Sequence, residues 1–174
     1  MKKIKIILTI LVLTLVLSGC GNSSTNTDTN VTYVVSGADS ATILNAFNTN
    51  GIVYFYLKGS KLGDAVLIEL TELANEYKVK VYPVDLSGSD FLKSSTDTNV
   101  QAMYTKIGNN AKFSKDGITL TTPTLFEIEN GEIKNSVLGV PVNNLSKDSL
   151  TDDNLKDIKE SYRSVFEAQS ALNK

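Results

Sequence analysis

Apolar residues along this chain fall into short blocks separated by polar turns, and the spacing within each block identifies the element it predicts. "VTYVV" (31–35) is a β-branched run that reads as a strand, and "DSATILNAF" (39–47) reads as a short helix that Asp39 or Ser40 can cap. Asn50-Gly51 breaks that helix, and "IVYFYL" (52–57) is continuously apolar, the pattern of a central strand covered on both faces. After a turn at "KGSKLGD", "DAVLIELTELANEY" (64–77) sets Ala65 and Ile68, and Leu67, Leu70, Leu73, Ala74 and Tyr77, at helical spacings. "KVKVYPVDL" (78–86) is the next strand and "TNVQAMYTKI" (98–107) a helix. "TLFEIENGEIKNSVLG" (124–139) is a hairpin turning at Asn130-Gly131. "TDDNLKDIKESYRSVFEAQSAL" (151–172) is a final helix with Leu155, Ile158, Tyr162, Val165, Phe166 and Leu172 on one side. The order β-α-β-α-β-α-β-β-α predicts an α/β fold, a mixed sheet flanked by helices.

The first thirty residues follow a different logic. "MKKIK" is a positive opening, "IILTILVLTLVL" is an apolar run of twelve, and "LSGC" puts small residues just before Cys20. That sequence of features is an export signal. A helix that spans a bilayer needs about twenty apolar residues, so the run is short for a permanent transmembrane anchor. "GNSSTNTDTN" (21–30) contains no apolar residue that can pack and reads as a flexible tether with a reach of about 17 Å. The expected division is therefore a signal over 1–19, Cys20 and a tether over 20–30, and one globular domain over 31–174. With 174 residues, 41% apolar and 21% charged, a single domain has enough material for a core.

Composition removes several kinds of chemistry. No stretch concentrates Lys or Arg beside aromatics, which argues against nucleic acid as a partner. The chain has no histidine and one cysteine, Cys20. Without imidazole there is no Ser-His-Asp or Cys-His arrangement and the commonest zinc ligand is missing. One thiol cannot close an internal disulfide. The acids Asp148, Asp152, Asp153 and Asp157 near the last helix lack the alternating ligand pattern of a calcium loop and suit the positive end of the helix dipole, so no metal and no cofactor are expected.

Leu17-Ser18-Gly19-Cys20 resembles the lipobox of bacterial lipoproteins. That resemblance implies cleavage before Cys20, lipid acylation of Cys20, and a place on the extracytoplasmic face of the cell membrane. The alternative is an ordinary secretory signal with an incidental cysteine. Loss of Lys2, Lys3 and Lys5 with the signal leaves fourteen basic and nineteen acidic residues. An acidic body gains nothing from an anionic leaflet, so anchoring would fall to the acyl chains.

From residue 31 the chain resembles the thioredoxin family. "IVYFYLKGSKLGDAVLIELTELANEY" is similar to that family's central strand, active-site turn and long helix, and "TTPTLFEIENGEI" to its cis-proline and hairpin, with Gly139 after the last strand. The resemblance puts the family's two cysteines where this chain carries Ser60 and Gly63, around Lys61 and Leu62, and puts its buried acid where this chain has Tyr54. Exchange of disulfides needs a thiolate and a second thiol to resolve the mixed disulfide. A serine hydroxyl with no base beside it supplies neither, and Ser60 reads as a helix cap. Thr122 and Pro123, at the implied cis-proline, can offer backbone to an extended peptide by strand addition, or form a purely structural turn. "GNNAKFSKDGITLTT" (108–122) is longer than a plain thioredoxin needs, and its Asp116-Gly117 signals a hairpin beside the groove. The layout is most similar to thioredoxin-like accessory proteins that Gram-positive bacteria encode beside bacteriocin exporters. The function expected is a lipid-anchored, thiol-free module that binds a peptide or protein through Ser60, Lys61, Leu62, Gly63, Thr122 and Pro123. Two alternatives stay open: a redox helper that works with a partner's cysteine, and an envelope protein without a specific ligand.

Overall fold

In the computed structural model the residues described are 32–109, 122–139 and 150–174. The expectations for the signal, Cys20, the tether, the Asp116-Gly117 hairpin and Asp148 lie outside them. Helix α1 (Ser40–Ala46) leads to strand β1 (Gly51–Tyr56), helix α2 (Lys61–Tyr77) and strand β2 (Val81–Asp85). Helix α3 (Thr98–Asn109), strands β3 (Thr124–Glu129) and β4 (Glu132–Leu138), and helix α4 (Asp152–Leu172) follow. The sheet order is β2-β1-β3-β4, with β1 parallel to β2 and antiparallel to β3, and β3 antiparallel to β4. This is the thioredoxin-like mixed sheet flanked by helices.

Strand β1 explains the layers. All six of its residues are buried, and successive side chains of a strand point to opposite faces. Ile52, Tyr54 and Tyr56 join Val66, Leu70 and Leu73 of α2 and Ile158, Tyr162 and Phe166 of α4 in one core. Val53 and Phe55 join Ile43 and Phe47 at α1, Met103 and Ile107 of α3, and Phe126 in the other. A continuous apolar run is what a strand needs when helices cover both its faces. Across the α2–α4 contact, Lys159 pairs with Glu72 and Arg163 with Glu76.

The Asp39 carboxylate accepts the Thr42 N–H at 2.8 Å, so Asp39 is the cap of α1 and Ser40 its first residue. At the hairpin Asn130 and Gly131 have φ of 52° and 78°, as a two-residue primed turn requires. The turn is tied back to the end of α1, where Gly131 N–H donates to Thr49 O at 2.8 Å.

Three expectations change. The described part of the 31–35 run, residues 32–35, contributes one bridge, Val34 to Val81, instead of a strand. Val81 N–H donates to Tyr33 O and Val35 N–H to Val81 O; the next donor on that side of β2 belongs to position 83, which is proline and has no N–H. Helix α2 starts at Lys61, directly after the Ser60 cap as read, but its buried stripe is Gly63, Val66, Leu70, Leu73 and Ala74 and leaves out Ile68. Ile68 lies two positions from both Val66 and Leu70, on the opposite side of a 3.6-residue helix, and is 60% exposed. Leu172 is exposed at the end of α4, whose buried stripe finishes at Gln169. Among the described residues no helix is long and apolar enough to cross a membrane.

Candidate functional site

The corner between β1 and α2 is closed by hydrogen bonds at every step. Ser60 N–H donates to Leu57 O at 3.0 Å, which turns the chain out of the strand. Ser60 then caps α2, its Oγ accepting the Gly63 N–H at 3.4 Å. Two carboxylates fix the loop between them: Asp64 Oδ2 accepts the Gly59 N–H at 3.0 Å, and Asp85 Oδ1 accepts the Lys58 N–H at 3.1 Å. Asp85 sits at the end of β2, so it joins that strand's end to the corner. Burial works to raise its pKa, but bonds from the Ser87 N–H, the Ser87 hydroxyl and the Lys58 N–H prevail and hold it below the usual carboxylate value.

Beneath the corner lies Tyr54, wholly buried. Its hydroxyl donates to Gly63 O at 3.0 Å, and its ring stacks on Tyr56 with centroids 5.5 Å apart. Burial first, then the neighbouring Tyr162, Tyr56 and Asp64, push its pKa far above that of a free phenol. The group is therefore a fixed proton donor, unable to shuttle a proton as an acid at that position could. Gly63 is closely packed: a Cβ there would lie 3.2 Å from Leu57 O and 3.4 Å from Tyr56 Cβ, so a side chain would require these neighbours to give by a few tenths of an ångström.

The peptide bond Thr122–Pro123 is cis, as the resemblance implied. Phe55 stands opposite Thr124 in the β1–β3 register, so the cis bond enters the sheet at the same end as the corner. Pro123 is buried and its carbonyl accepts the Gly139 N–H at 2.8 Å. Gly139 O in turn accepts the Tyr162 hydroxyl at 3.4 Å.

All six candidate residues thus share one end of the sheet, in two roles. Gly63 and Pro123 are buried parts of the frame. Ser60, Leu62 and Thr122 are half-buried and Lys61 is exposed, so these four carry the solvent-accessible surface of the six. Leu57, 42% exposed, belongs with them; the apolar run 52–57 makes it the last residue of the strand, although the turn residues directly after it mark where burial ends. The closing roles of Asp64 and Asp85 carried no local signal. Among the described residues there is no thiol, and no group of three or more carboxylates is placed to hold a metal ion. Asp152 and Asp153 occupy the first turn of α4 behind a capping box of Thr151 and Asn154. The arrangement can offer backbone and side-chain contacts to an extended segment, and it contains no sulfur with which to exchange a disulfide.

No protein-family model and no curated protein matches the sequence. Among solved structures, thioredoxin O2 from Arabidopsis thaliana in its oxidized state is similar at 15% identity, over 78% of this chain and 96% of that one, with a TM-score of 0.47. Thioredoxin from Aeropyrum pernix is similar at 16% identity over 59% of this chain and 73% of that one, with a TM-score of 0.40. A chain from work on thiol resolution in yeast mitochondrial 1-Cys peroxiredoxin via the glutathione/thioredoxin systems is similar at 15% identity, over 61% and 81% of the two chains, with a TM-score of 0.37. Strand order, the parallel and antiparallel registers and the cis Thr122–Pro123 bond define the thioredoxin-like fold independently of these likenesses.

Proposed function

We propose that this chain is a lipid-anchored, thiol-free thioredoxin-like module on the extracytoplasmic face of a bacterial membrane. It holds an extended peptide or protein segment across the β1–α2 corner and the Thr122–Pro123 turn, and it serves as an accessory to secretion of a peptide such as a bacteriocin. One observation carries the reading: where the family resemblance puts two cysteines, this corner is closed by a serine cap and by a glycine with backbone and Tyr56 against it. The shape that receives an extended segment is kept while the means of exchanging a disulfide is gone.

Full-length protein in membranes tests each part. Palmitate labelling should occur and should vanish in Cys20→Ser. The protein alone should not reduce insulin. A captured partner should be lost in Thr122→Glu and in Leu62→Glu, while Ile68→Glu, on the exposed side of α2, should keep it. Insulin reduction by the chain unaided would overturn the reading, and disulfide turnover that appears only with the partner present would replace it with the helper role.

A further inference from the structure

On the flank of the corner away from Pro123, the ends of β1 and β2 and the loop after Val34 border a solvent-open pocket of about 360 Å³. That volume falls within the range of pockets that bury a small organic group. Its apolar surface comes from Tyr56, Pro83 and Phe91. Two of these are fixed from behind: the Tyr56 ring by its stack on Tyr54, and the Phe91 backbone by the Tyr104 hydroxyl, which donates to Phe91 O at 2.9 Å. The loop Ser36–Ala38 completes the wall.

The polar lining is one acid, one base and one aliphatic hydroxyl: Asp85, Lys58 and Ser36. Among the described residues Asp85 Oδ1 accepts the N–H groups of Lys58 and Ser87, whereas Oδ2 accepts only the Ser87 hydroxyl at 2.9 Å and can take a further donor. The two charges sum to zero. A cation entering beside Asp85 meets the Lys58 ammonium, and an anion beside Lys58 meets the carboxylate. An uncharged ring with one N–H or O–H satisfies Asp85 and covers Tyr56 and Phe91 without that conflict.

We infer that this cavity is a binding pocket for a neutral aromatic group that carries a hydrogen-bond donor, the indole or phenol of a Trp or Tyr side chain. That the ring arrives on a peptide laid over the corner rests on the function proposed above; the pocket's preference for the ring does not. Lys58 belongs to both the corner loop and the cavity wall, so a residue anchored here extends directly from a segment lying on Ser60 and Leu62.

The chain contains no tryptophan, so the emission of an added indole reports binding unobscured. Full-length protein in detergent, against a detergent blank, should shift N-acetyltryptophanamide emission to the blue in a saturable way. Ser36→Phe puts a ring into the cavity from an exposed position, so it should keep the unfolding midpoint and weaken the probe at least tenfold. N-acetyllysine amide and N-acetylglutamate amide should compete at least tenfold less well than N-acetyltyrosinamide. In NMR the probe should move the amides of Gly37, Asp85 and Phe91. An unsaturable signal, equal binding by Ser36→Phe, or shifts confined to Thr122 and Gly139 would overturn the inference. The pentapeptide Gly-Gly-Trp-Gly-Gly separates a side chain from free indole. Binding tighter than the capped amino acid, with only that gain removed by Thr122→Glu, supports peptide delivery. Equal binding of the two removes the peptide and leaves the ring pocket standing, whereas Thr122-dependent peptide binding with no saturable probe signal removes the pocket and leaves the corner reading standing.

Discussion

Replacing Tyr54 with phenylalanine removes one oxygen atom and leaves the ring, its burial and its stack on Tyr56 in place. The atom lost is the donor to Gly63 O, 3.0 Å away and wholly buried. Gly63 lies in the first turn of α2, so its carbonyl keeps the ordinary helical bond from the residue four positions on. The loss is therefore one bond and not an orphaned acceptor, which puts the cost near 1 kcal/mol, within the range of about 0.5–1.5 kcal/mol for a net hydrogen bond. In a domain of this size that is a fall in Tm of about 3 °C. Tyr162→Phe is an internal control. Its ring is equally buried, but its hydroxyl reaches Gly139 O at 3.4 Å, beyond good hydroxyl geometry, so its loss should be about half as large or less. Urea unfolding of both variants, with m unchanged, measures the difference, and hydrogen exchange should quicken at the first-turn amides of α2 in Tyr54→Phe alone. If Tyr54→Phe costs no more than Tyr162→Phe, the phenol is not what ties the central strand to the corner.

Lys106→Met should cost about 1.5–3 kcal/mol in urea unfolding, because Nζ donates to Phe47 O at 3.2 Å and to Gly131 O at 3.3 Å, linking α3 to the end of α1 and to the hairpin turn. Gly131→Ala should cost more than about 1 kcal/mol, since φ is 78° and the new Cβ would lie 3.0 Å from Asn48 O; a thermal melt unchanged from wild type would refute this. Glu127 is nearly buried beside Gln169, and burial holds its carboxyl above the ordinary 4.5. The folded chain therefore binds that proton more tightly than the unfolded chain, and the group's contribution is complete below pH 4.5 and lost as pH rises through the folded value. Glu127→Gln should accordingly gain stability over wild type between pH 4.5 and 7, measured as urea midpoints across that range.

Features dictated by local pattern could be read in advance. The unbroken apolar run of β1 required cover on both faces and has it, and Asn130-Gly131 required the turn it makes. Pro123 was placed by its resemblance and is cis. Readings changed where a partner decides. The 31–35 run has strand character of its own, but its pairing is limited by Pro83 in another strand. Gly63 falls in the segment read as a turn, and it lies inside the first turn of α2, closely packed against Leu57 O and Tyr56. Ile68 reads as core by apolarity and is turned outward by the phase that Val66 and Leu70 set. Asp85 reaches the Lys58 N–H across 27 positions, and no periodicity within either segment announces a bond of that kind.

The missing N–H at Pro83 has a consequence for how copies of this protein meet. Beyond the single Val34 bridge, that border of the sheet cannot continue a main-chain ladder at position 83, so a second molecule approaching there finds no regular register to zip into. The opposite border, β4, exposes Glu132, Lys134 and Asn135, whose charge and polarity discourage the same event. Among the described residues, then, each border of the sheet carries its own obstacle to adding a strand from a second copy.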